Sequence, residues 1–138
     1  MKVMVMDAQG GGMGRLLVEG LKRAMPEQPV TAVGTNALAT SAMLRAGADQ
    51  GATGENAVAV CAAQADLILA PIGMVLCDAM LGEVTAAMAC AVGRSPAHKI
   101  LVPVSRCQTT VVGAQKLSVA EAVERAVGEA RARIEAEG

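Results

Sequence analysis

Short, mostly apolar runs alternate along this chain with longer stretches whose apolar residues recur every three or four positions. Lys2 to Met6 (KVMVM) is the first such run and ends at Asp7. It reads as a strand. Met13 to Met25 then carries Leu16, Leu17, Gly20, Leu21 and Met25 on one face and Arg15, Glu19, Lys22 and Arg23 on the other, before Pro26 and Pro29. That is an amphipathic helix stopped by proline. Val30 to Val33 predicts a second strand ending at Gly34. Asn36 to Ala46 predicts a helix capped by Thr35 or Asn36, with Gly47 at the left-handed C-terminal position. Ala48 to Gly54 reads equally as a short strand or a loop. Glu55 to Ala63 predicts a helix capped by Thr53, and Ala65 to Ala70 (ADLILA) a strand of the continuous apolar kind, Asp66 apart, that is buried on both faces of a parallel sheet. Cys77 to Gly93 reads as helical from Glu83 onward, and Lys99 to Val104 as another buried strand. Ser118 and Glu121 form a capping box before a last helix whose inward face carries Val119, Val123, Ala126, Val127, Ala130 and Ile134.

Strands separated by helical patterns of this length imply βαβ units, hence a three-layer α/β domain, Rossmann-like or flavodoxin-like, with a mostly parallel sheet of roughly four or five strands. Lys2–Met6, Val30–Val33, Asp66–Ala70 and Ile100–Val104 are expected side by side and parallel. The 138 residues, 53% hydrophobic, suit one such domain spanning the chain and are too few for a second.

Open parallel sheets bind ligands outside the carboxyl ends of their strands. The first strand delivers Asp7, Gln9, Gly10, Gly11, Gly12 and Gly14 to that edge. The second delivers Gly34, Thr35 and Asn36, and the segment after it Thr53, Glu55 and Asn56. Pro71, Ile72 and Gly73 follow the strand ending at Ala70, and Ser105, Arg106, Cys107 and Gln108 follow the last. Small and polar residues thus recur at every expected strand end. Glycine after a first strand lets the chain turn sharply and lets a phosphate reach backbone N–H groups at a helix N-terminus. The candidate ligand is a nucleotide or another phosphorylated small molecule. A tight turn without a ligand explains the same residues.

The spacing narrows the choice. Arg15 stands where the dinucleotide pattern G-x-G-x-x-G wants its third glycine, and no Gly-Lys pair makes a P-loop. The spacing G-x-x-x-G-x-G of short-chain dehydrogenases is approached by Ala8, Gly12 and Gly14, but those enzymes work through a Tyr–Lys pair and this chain has no Tyr. No Asp or Glu follows the second strand to hold a ribose 2′-hydroxyl. The cofactor expectation is therefore NADP, whose 2′-phosphate suits Thr35 and Asn36, or a mononucleotide. Those two residues equally serve as helix caps.

Composition removes several classes. Twelve basic against 13 acidic residues offer no field for a polyanion, and the absence of Phe, Tyr and Trp removes a stacking platform for bases, so nucleic acid is not an expected partner. Nine Met residues must fill the core in place of aromatics. The longest apolar run, Leu67 to Cys77, is broken by Pro71 and Gly73 and is too short to span a bilayer. No secretory signal pattern opens the chain, so a cytoplasmic location is the expectation. Cys61, Cys77, Cys90 and Cys107 form no CxxC pair and only His98 could join them, which argues against a metal site. Cys61 and Cys90 are expected in the core.

Five strings taken together resemble a small bacterial family classed as a domain of unknown function, number 3842. They are Asp7–Gly14 (DAQGGGMG), Gly34–Leu44 (GTNALATSAML), Gly51–Asn56 (GATGEN), Pro71–Gly73 (PIG) and Pro103–Cys107 (PVSRC). The resemblance covers nearly the whole chain and implies a compact Rossmann-like fold and no particular activity. Ala8 departs from the glycine expected after the first Asp.

Three readings of function follow. The favoured one is a binder, sensor or accessory, that holds its ligand through Asp7, Gln9, Gly10, Gly11, Gly12, Gly14, Thr35, Asn36, Gly73 and Arg106. Arg106 is singled out because a guanidinium pairs bidentately with phosphate. The second is a small enzyme using Asp7, Glu55 or Cys107. No nucleophile and base pair supports it, and His98 precedes a strand at the opposite edge. The third is a structural oligomerising domain. A mean hydropathy of +0.42 makes homo-oligomerisation an expectation in every case.

Overall fold

The computed structural model describes residues 1–104 and 108–137. Among these residues five strands and five helices alternate in the order β1 (Val3–Asp7), α1 (Gly12–Ala24), β2 (Val30–Gly34), α2 (Ala37–Arg45), β3 (Gln50–Thr53), α3 (Glu55–Gln64), β4 (Leu67–Pro71), α4 (Ala86–Arg94), β5 (His98–Val102) and α5 (Val119–Glu137), with one 3-10 turn at Ile72–Val75. The sheet is parallel throughout and ordered β3-β2-β1-β4-β5. This is the Rossmann order rather than the flavodoxin one, with the winding direction reversing between β1 and β4.

The reversal explains the layers. Crossovers between parallel strands are right-handed, so winding out from β1 to β3 puts α1 and α2 on one face, and winding back through β4 to β5 puts α3 and α4 on the other. Val3 and Val5 of β1 meet Leu17, Val18 and Leu21 of α1, Met43 of α2 and Ala126 and Ala130 of α5 on one face. Met4 and Met6, pointing the other way, meet Val58 and Ala62 of α3 and Met88 and Val92 of α4. Flexible methionines thus fill space on both sides of the central strand, in a core without a ring.

Several boundaries differ from the expectations, each for a local reason. Ala48 to Gly54 contains an edge strand, β3, paired with β2 from Thr31–Gln50 to Gly34–Thr53. Its exposed face hides the alternation that would have marked it. Thr53 does not cap α3. The cap is Gly54, at φ 102°, while Thr53 Oγ1 lies 2.7 Å from Thr40 Oγ1. Asn36 does cap α2, accepting from Ala39 N at 2.8 Å, and Gly47 takes its left-handed place at φ 117°. Helix α4 begins at Ala86, where Thr85 Oγ1 accepts from Met88 N at 3.1 Å, and not at Glu83. The segment ahead of it is a tight loop in which Asp78, Met80 and Leu81 all have left-handed φ (66°, 58° and 60°). Cys90 lies on the exposed side of α4, whose buried side is Met88, Ala89 and Val92. In α5 Ala122 is buried instead of Val119, which is exposed. Among the described residues no helix is long and apolar enough to cross a membrane.

Candidate functional site

The carboxyl end of β1 runs into the glycine turn through Asp7. Its carboxylate is 5% exposed and accepts from Ala8 N through Oδ1 and from Gly14 N through Oδ2, both at 2.7 Å. It therefore caps α1 from the strand side. Burial pushes its pKa up. The N–H groups of Gly14, Ala8 and Met13 pull the other way without cancelling that, and Glu83 adds a further push upward.

The four glycines separate into two kinds. Gly11 is buried at φ 72°, and a Cβ there would stand 2.9 Å from the Ala39 backbone. Gly14 is buried too, and its Cβ would stand 2.8 Å from Asp7 Cβ. Turn shape and helix packing require both. Gly10 and Gly12 are exposed, have no positive φ, and a Cβ at either would meet nothing within 4 Å. Nothing among the described residues asks for glycine at these two positions. Their N–H groups bond to nothing among the described residues, whereas Gly11 N donates to Ala8 O at 3.0 Å.

Gly10 and Gly12 open onto a crevice of about 790 Å³ at the reversal point of the sheet, large enough for a nucleotide-sized ligand. Asp7, Gln9 and Gly11 line it with them. Arg15, one turn into α1 and paired with Glu19 at 2.9 Å, brings a cation to its rim. The opposing wall is Pro71, Met80 and the segment after β5, including Thr109, Thr110 and Gln115. Those threonines, Gln115 and Arg15 were not among the expected site residues. Arg15 was legible, because it stands one turn after the glycines; the other three come from a stretch with no periodicity to place it. Gly14 lies beneath the turn, and Gly73 is buried in the 3-10 turn outside the lining. Glu55 sits elsewhere, exposed, accepting from Thr85 Oγ1 at 2.7 Å. Arg106 and Cys107 lie outside the described residues.

Thr35 and Asn36 do not line the crevice either; both serve Glu83. Its Oε1 accepts from the Thr35 hydroxyl, from Asn36 Nδ2 at 2.5 Å and from Gln9 N at 2.7 Å. Asn36 Nδ2 also reaches Gln9 O at 3.0 Å. Desolvation raises the Glu83 pKa, but the Thr35, Gln9 and Asn36 donors outweigh it and hold the carboxyl below its ordinary value. The acidic group missing from the end of β2 in sequence is thus supplied in space from the loop before α4.

No curated protein matches the sequence. Among solved structures, a dodecameric FMN-dependent UbiX-like decarboxylase from Escherichia coli O157:H7 is similar in fold, with a TM-score of 0.53 over 98% of this chain and 94% of that one at 16% identity. At that identity the likeness speaks to fold alone. The sequence match extends over residues 2–135, and the chain belongs to the family described as a domain of unknown function, DUF3842.

Proposed function

We propose that this protein binds a mononucleotide or a phosphorylated compound of similar size in the crevice between β1, β4 and β5, its phosphate on the N–H groups of Gly10 and Gly12. The observation that carries this reading is the pair of exposed glycines at the start of α1 that, among the described residues, have open space over them and unengaged N–H groups. A helix N-terminus with free donors favours an anion through both hydrogen bonds and the helix dipole. Asp7 spends its carboxylate on the inner donors, so the outer ones remain. The FMN dependence of the structurally similar decarboxylase makes FMN the first probe, with NADP beside it. Among the described lining residues the charged ones are Asp7 and Arg15, which supports binding over turnover. A sensor or accessory role fits, and so does a homo-oligomer, as in the dodecameric decarboxylase.

The test is calorimetry with FMN, AMP, NADP and inorganic phosphate on wild type, Gly12→Val and Gly11→Ala. Gly12→Val should weaken binding more than about tenfold. Its stability should stay within about 0.5 kcal/mol of wild type, because the new side chain meets only open space. Gly11→Ala should instead lose more than about 1 kcal/mol of stability, from its left-handed φ and the Ala39 backbone. Equal affinity in wild type and Gly12→Val would end the proposal.

A further inference from the structure

A dinucleotide on an open sheet of this order spans the reversal point, one half over β1 and β4 and the other over the ends of β1 and β2. The two halves are not equally open here. The crevice serves the first. At the second, the donors a ribose or 2′-phosphate would use, Gln9 N, Thr35 Oγ1 and Asn36 Nδ2, all converge on one oxygen of Glu83.

The loop that delivers Glu83 is built for that position. Asp78 N donates to Val84 O at 2.8 Å, Gly82 N to Asp78 O at 3.0 Å and Glu83 N to Met80 O at 3.2 Å. These bonds close a tight coil around its left-handed residues. The same coil puts Met80 in the crevice wall. One short segment thus walls the open half-site and fills the other with a carboxylate.

We infer that Glu83 is a specificity residue that excludes dinucleotides, its carboxylate taking the donors at the β1 and β2 ends and confining the ligand to a single-phosphate mononucleotide. This rests on the phosphate-binding reading above. The exclusion has two parts: the donors a ribose would use are already engaged, and a fixed negative charge meets the 2′-phosphate of an NADP-like ligand. Like charge facing like charge is a common way for a site to reject the wrong ligand. NADP, which the bare β2 end suggested in sequence, is disfavoured on both counts.

Calorimetry on the full chain with FMN, AMP, NAD and NADP, for wild type, Glu83→Ala and Glu83→Gln, tests this. Wild type should bind one of the mononucleotides at least about tenfold tighter than either dinucleotide. Glu83→Ala should shrink that ratio at least about fivefold. Glu83→Gln keeps an oxygen that can accept from the same three donors and removes only the charge. It should move the ratio for NADP the same way, and it reads the carboxylate's part should Glu83→Ala fail to fold by circular dichroism. A ratio unchanged in the folded variants overturns the inference and leaves the phosphate site standing. Weaker NAD binding in Glu83→Ala also overturns it, since the carboxylate would then be a ribose acceptor. Wild type that binds none of the four probes overturns the phosphate site, and this inference with it.

Discussion

Asp7 and Glu83 face each other across the start of the glycine turn, and their environments push them in opposite directions. Burial holds the Asp7 carboxyl above its ordinary value of 3.8, so the folded protein binds the proton more tightly than the unfolded chain. Stability from this group is present below that value and is lost as pH rises through the folded pKa. Glu83 has the reverse sign. Its donors hold it below 4.5, so its contribution is present above that value and fades as pH falls through the folded pKa. Asp7→Asn separates the two, leaving Glu83 in place. The stability advantage of wild type over Asp7→Asn should therefore shrink as pH rises from about 4 to 7, read from urea midpoints. An advantage that widens with pH would mean the buried group is favoured as the carboxylate.

The loop before α4 is the element least like its sequence. A helical reading from Glu83 ignores what the chain does just ahead of it, where three non-glycine residues accept left-handed φ. Each such residue costs about 1–2 kcal/mol relative to the right-handed region. The bonds between Asp78 and Val84 and from Glu83 to the strand ends hold them there. Leu81 gains nothing for its strain, being fully exposed at the tip of the loop. Leu81→Asn should accordingly raise stability by about 0.5–1 kcal/mol, because asparagine tolerates this conformation and no packing is lost. Thermal unfolding measures it. No gain would show that Leu81 has a covering surface in solution.

For the whole molecule, a core without aromatics is spread over both faces of a five-stranded sheet, and apolar side chains remain outside it. Leu38 and Leu44 on α2 and Val60 on α3 are exposed, and the mean hydropathy is +0.42. Native mass spectrometry is expected to find a homo-oligomer. A monomer at every concentration would remove self-association from the account. If nucleotide co-purifies, the same spectrum reports its mass.

The alternation of strand and helix was determined by the sequence itself, because period and caps are local. The strand expected over Ala65–Ala70 and found at Leu67–Pro71, a cap for α2 at Thr35 or Asn36, and the Ser118–Glu121 capping box, with Glu121 N 3.1 Å from Ser118 Oγ, needed only neighbours to be read. The glycine turn was legible for the same reason. Which of its glycines the fold requires was not, since Gly11 and Gly14 are held by Ala39 and Met43 of another helix. Edge strand β3 was obscured because its exposed residues carry no apolar alternation. The pairing of Glu83 with Thr35 joins residues 48 positions apart. No local pattern encodes such a contact, and only the winding of the sheet, which brings the loop before α4 to the ends of β1 and β2, decides that the acid missing after β2 is present in space.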